Sequence, residues 1–156
     1  MQTRLDLKRP PANPAPVVAA GRWRTAALTL NATLAVFREH GGVAHADEVV
    51  ECLHPHCKQA MPMLARWIAG RDVMSIDMHG EHWLPLFQFD FGVGSIRPQA
   101  HQVFTTLAPA FDAGEMVSWF VEPNVWLNGA APVSKWWLDA VSVLQAARTD
   151  RYVALG

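Results

Sequence analysis

Residues 119–144 read WFVEPNVWLNGAAPVSKWWLDAVSVL and carry four of the chain's seven tryptophans: Trp119, Trp126, Trp136 and Trp137. Only three formal charges interrupt them, on Glu122, Lys135 and Asp139. Two helical patterns flank a Pro123-Asn124 turn. Catalysis does not need indoles at this density, whereas a small helical core or a docking surface does. Neighbouring helical residues point about 100° apart. Trp136 and Trp137 can therefore both be buried only if their helix is covered over a wide arc. Helical spacing alone would place such rings in a core. Exposed rings of this kind would instead be anchors of the sort that dominate protein interfaces.

The 156 residues suffice for one domain or for two small ones sharing a core, and 51% of them are hydrophobic. No apolar run approaches the roughly 20 residues needed to cross a bilayer. The opening MQTRLDLKRPP lacks the apolar centre of a secretory signal. A soluble, cytoplasmic protein without membrane attachment is expected. Cys52 and Cys57, the only cysteines, suit neither a disulfide framework nor a paired zinc-thiolate site. The net charge of −1 hides an asymmetry: residues 1–38 carry +5 and the remainder −6. A basic front and an acidic body argue against broad nucleic-acid binding by the body.

Residues 1–20 include Pro10, Pro11, Pro14 and Pro16, a density that favours extended, mobile chain. This basic tail is either a solvated leader or an arm for DNA phosphates. From residue 22 to 40 the positions Trp23, Ala26, Ala27, Leu30, Leu34 and Phe37 make one helical face, which Gly41-Gly42 closes. A short helix over 47–53 stops at His54-Pro55. Another over 59–69 tolerates Pro62 only in its first turn. Alternation over 73–78, a His79-Gly80 turn and the run to Phe87 predict a β-hairpin. Residues 90–94 read as a connection between halves. Helices follow over 98–107 and 111–121, and a last one runs on from Pro132 with Val133, Trp136, Trp137, Val141 and Leu144 as its stripe. The fold class is thus mainly α. Residues 21–90 form a degenerate helix-turn-helix with a small hairpin, of winged or MerR-like order, and 91–156 form a compact helical domain.

Few residues suggest chemistry. Cys52, His54, His56 and Cys57 crowd four potential ligands into six positions, too tight to wrap one ion. Alternation would send Asp77 and His79 to one face of the hairpin and His82 to the other, so a polar turn is the plainer reading than an acid-base pair. No Gly-x-Ser-x-Gly, phosphate-binding loop, zinc-helix or dinucleotide pattern occurs. No enzyme, cofactor or metal is expected. The candidate recognition helix offers Lys58, Gln59 and Arg66 as its DNA-binding set, with Met61, Pro62 and Met63 between them, a thin set of donors.

Trp119, Pro123, Asn124, Leu127, Gly129 and Pro132 together resemble the toxin-binding domain of Xre/MbcA/ParS-type antitoxins. The phrase WLPLFQFD at 83–90 is similar to the segment that precedes that domain. The resemblance implies a binding protein that neutralises a RES-type, NAD-degrading toxin by covering its active site and that also regulates its own operon. It implies structural roles for Pro123, Asn124 and Gly129, and it makes residues 148–156 the segment lying against the toxin. The partner-binding candidates are Trp119, Trp126, Trp136, Trp137, Arg148 and Arg151. The chain departs from the family at Ser134-Lys135-Trp136-Trp137, where a leucine-rich helix is usual. A homodimer through the N-terminal half is expected. The alternative is a stand-alone helix-turn-helix transcriptional regulator without a toxin.

Overall fold

Leu30, Thr33, Leu34 and Phe37 line one face of α1 (Leu30–Glu39) in the computed structural model, which describes residues 30–156. The proline-rich tail and the first part of the expected helix, with Trp23, Ala26 and Ala27, lie outside the described residues. Helix α1 ends as its glycines predict. Gly41 and Gly42 have φ of 108° and 97°, and the Gly42 N–H reaches back to the Phe37 carbonyl at 2.9 Å, as a left-handed helix end allows.

A three-residue strand, β1 (Val43–His45), leads into α2 (Ala46–Leu53), whose N-cap is the His45 imidazole accepting the Asp47 N–H. Helix α3 (Ala60–Ala69) follows, with Pro62 in its first turn, where the missing donor costs nothing. The hairpin consists of β2 (Ile76–Met78) and β3 (Glu81–Pro85). Its two-residue turn puts His79 at φ 51° and Gly80 at φ 79°, the pair of positive angles that matches strand twist. Strand β3 lies between β1 and β2 in an antiparallel sheet. Helix, strand, two helices and hairpin is the order of a helix-turn-helix with a wing.

The sheet has two working faces because strand side chains alternate. Val43, Ile76, Met78 and Trp83 enter the larger hydrophobic cluster, and Ala44 and Leu84 enter the smaller one beneath α2 and α3. Gln88, fully buried, staples the sheet from within. Its amide exchanges hydrogen bonds with the Met74 backbone at 2.7 and 2.8 Å and donates to the Pro85 carbonyl at 2.9 Å.

Residues 90–94 are not a bare connection. They close a second small hairpin, in which β4 (Phe89–Asp90) pairs with β5 (Ser95–Ile96), and the Gly94 N–H bonds the Asp90 carbonyl. Helix α4 (Pro98–Leu107) opens on its proline. Helix α5 (Ala113–Val121) opens on a capping box in which Asp112 and Glu115 each accept the other's backbone N–H, at 2.8 and 2.9 Å respectively. A 3₁₀ turn over Val125–Leu127 follows.

The single last helix expected from Pro132 onward is in fact two, α6 (Pro132–Trp136) and α7 (Ala140–Leu155). Asp139 makes the break. At φ −155° it leaves the helical region, and its carboxylate accepts hydrogen bonds from both the backbone N–H and the hydroxyl of Ser142, starting a new helix. Helices α4 and α7 pack together. The larger cluster draws Leu34 and Phe37 of α1 together with Phe104, Phe120, Trp136 and Val143, so the chain on either side of residue 90 shares one core. Phe87 is its hub, with ring centroids 6.1 Å from Phe37, 6.5 Å from Phe104, 5.1 Å from Phe120 and 5.4 Å from Trp136.

Candidate protein-docking surface

Pro123 and Asn124 stop α5, and Asn124 then organises the turn from inside. Its side-chain oxygen accepts the Trp126 N–H at 2.9 Å. Its backbone N–H donates to the Ala130 carbonyl, and its own carbonyl accepts from Gly129. Asn128 and Gly129 both take left-handed angles, φ 57° and 83°, which their residue types tolerate. The turn's shape is therefore fixed by its own hydrogen bonds.

That turn is fastened to α7 through one carboxylate. Asp150 accepts the indole N–H of Trp119 at 2.7 Å and the Asn124 side-chain amide at 2.8 Å on one oxygen. The indole N–H of Trp126 reaches its other oxygen at 2.7 Å. Hydrogen bonds to a charged acceptor are short and strong, so three separate side chains are held in fixed orientation. Asp150 has no counter-cation within ion-pair distance among the described residues. Beside it lies a cleft of about 580 Å³ lined by Phe111, Trp119, Asn124, Val125, Asp150 and Val153, among others.

The four tryptophans divide evenly between interior and surface. Trp119 and Trp136 are each only 5% exposed and belong to the core, where they pack edge-to-face with Phe120 and Phe87. Trp126 and Trp137 are 52% and 50% exposed. One of the adjacent pair faces in and the other out, as helical geometry requires. Val125 and Val153 flank the Trp126 side, while Leu138 and Val141 stand exposed near Trp137. The Arg97 guanidinium covers part of Trp137 at 5.2 Å from its ring centroid. Arg148 and Arg151 are exposed on α7 and line a second cleft of about 520 Å³ with Thr106, Tyr152 and Leu155.

The remaining candidates are scattered. Lys58, Gln59 and Arg66 are all exposed around α3, but so is Met61. Asp77 and His82 sit opposite each other in the hairpin register, and their side chains meet, His82 Nδ1 against Asp77 Oδ1. The expected separation of Asp77 and His82 onto different faces is thus corrected, because a two-residue turn pairs positions an odd distance apart. His79 stays at the exposed tip. Among the described residues no three His, Cys, Asp or Glu side chains converge on a common point. Burial raises the Cys52 thiol above its ordinary range, helped by the negative charges of Glu51 and Glu48, which disfavours the reactive thiolate. Among the described residues no helix is long and apolar enough to cross a membrane.

Asp150, the centre of the constellation, carries no local signature of its role. Its one signal is position: it falls three residues after Ala147 and four before Ala154, on the small-residue face by which α7 packs. Comparison of the chain with models of protein families, with curated proteins and with solved structures gives no match in any of the three.

Proposed function

We propose that the chain is an antitoxin-like protein-binding module that neutralises a RES-type, NAD-degrading toxin by covering its active site. The observation that carries this reading is Trp126. A large ring is held half out of the surface by a hydrogen bond to Asp150 and is flanked by exposed Val125 and Val153. Interface hot spots have this character, an aromatic anchor on a rigid base. The end of α7 supports the reading, since Arg148, Arg151, Tyr152, Val153 and Leu155 all face solvent in the segment that the resemblance lays against the toxin. Cytoplasmic location and a homodimer through the N-terminal half belong to the same proposal.

The test is co-expression with a RES-type protein encoded beside this chain. The pair is expected to co-purify, and the toxin's consumption of NAD is expected to stop. Trp126→Ala with Trp137→Ala is expected to weaken capture by about 10²-fold or more and to leave the far-ultraviolet circular dichroism unchanged. Undiminished capture by that double variant would remove the docking assignment.

The winged helix order and the exposed Lys58, Gln59 and Arg66 favour a second reading, binding of operator DNA, alone or alongside toxin capture. A salt-dependent mobility shift of upstream DNA, lost on Lys58→Gln with Arg66→Gln, is its expected signature.

A further inference from the structure

We propose that the cleft beside Asp150 receives an arginine side chain of the partner protein, presented between apolar residues. The proposal deepens the docking reading and rests on it for the partner's being a protein, but the chemistry of the cleft stands on its own contacts. Asp150 is held by three donors, and all three are neutral: two indoles and one amide. Neutral donors orient a carboxylate without cancelling its charge. An ionised carboxylate has about four acceptor sites, and the oxygen bonded to Trp126 takes only that one hydrogen bond. A fixed negative charge with spare acceptor capacity therefore stands at the edge of an apolar cleft, and such a charge favours a cation that enters with it.

The walls choose the kind of cation. The half-exposed ring of Trp126, bonded to the same carboxylate, supplies aromatic surface, and exposed Val125 and Val153 make an apolar rim. A guanidinium is planar, stacks on aromatic rings and sheds water more readily than an ammonium. Arginine fits this surrounding better than lysine. Charge on α7 also sets direction. Arg148 and Arg151 line the other cleft, one face of the helix away from Asp150, so the same turn of helix attracts a base on one side and repels it on the other.

The indole N–H groups that touch Asp150 are the natural reporters. In ¹⁵N-labelled protein, with peaks assigned through Trp119→Phe and Trp126→Phe, the peptide Ac-Leu-Arg-Leu-NH₂ is expected to shift the Trp119 and Trp126 indole signals. A dissociation constant of about 1 mM or tighter is expected, and the Trp137 signal is expected to stay in place. The same peptide with citrulline for arginine, equal in shape but uncharged, is expected to bind at least about tenfold more weakly. Added KCl is expected to weaken only the arginine peptide. Equal binding of the two peptides, or no shift at either indole with about 10 mM arginine peptide, overturns the inference. Because the unaltered protein is compared with two ligands, no misfolded variant can imitate either result. Failure of the two readings is separable. A RES-type partner captured by a protein indifferent to the arginine peptide removes the cation alone. An arginine-selective cleft with no such partner removes only the toxin.

Discussion

At the scale of single residues, Asp150 is worth more to this molecule than its place on a half-exposed helix face suggests. Replacing it by alanine leaves the Trp119 indole N–H, in a side chain only 5% exposed, and the Asn124 amide without their acceptor. Stranded buried donors cost about 1–3 kcal/mol each. Asp150→Ala is therefore expected to lower unfolding free energy by about 2–4 kcal/mol in urea titration. Trp126→Phe, which gives up a bond at an exposed ring, is expected to cost about 1 kcal/mol or less. The opposite order would mean that the carboxylate does not hold the turn. Asp139 gives a prediction in pH. The Ser142 hydroxyl and then its backbone N–H hold its carboxyl below the ordinary range, against a smaller opposing effect of desolvation and with a still smaller contribution from the charge of Lys135. A group lowered on folding adds stability above its unfolded pKa and loses it as pH falls through the folded value. The Ser142 amide resonance is accordingly expected to be constant at neutral pH and to move only below the ordinary carboxylate range, and Asp139→Asn is expected to abolish that movement. Neither role was legible beforehand. Asp150 finds its partners 24 to 31 positions away, a separation that no local pattern records.

At the scale of elements, the helices were readable where an apolar stripe met an unambiguous stop. Pro98 and Asp112 marked the starts of α4 and α5, and Gly41-Gly42 marked the end of α1. Strand β1 escaped notice because Val43–His45 is three residues long and buried throughout, which leaves no alternation to see. The break between α6 and α7 escaped because Trp137 and Val141 continue the helical stripe on either side of it, although both are exposed. The mainly α class and the helix-turn-helix with its hairpin were legible because the turn chemistry of His79-Gly80 agrees with the flanking period. That turn also yields a signed prediction. Gly80 has φ 79° and nothing within 4 Å of where a Cβ would stand, so Gly80→Ala tests conformation alone and is expected to cost about 1 kcal/mol. His79, at φ 51°, is expected to be bettered by asparagine, which visits the left-handed region more willingly, with a gain of a few tenths to about 1 kcal/mol in thermal or urea unfolding.

At the scale of the whole molecule, the expected boundary near residue 90 does not divide the core. Phe87 belongs to the segment after the wing, yet its ring meets Phe37 on one side and Phe104, Phe120 and Trp136 on the other. Phe87→Ala is expected to destabilise by about 3–5 kcal/mol. In the unaltered protein, near- and far-ultraviolet signals are expected to disappear in one coincident transition. Two separated transitions would show that the halves fold independently. The last consequence belongs to the ring of Trp126. Locked at its nitrogen, it has already given up the rotational freedom that a loose surface side chain surrenders on complex formation. Under the proposed docking, encounters at that face would begin from a shape already set, so changes to the surrounding contacts should tell in how long a complex lasts more than in how quickly it forms.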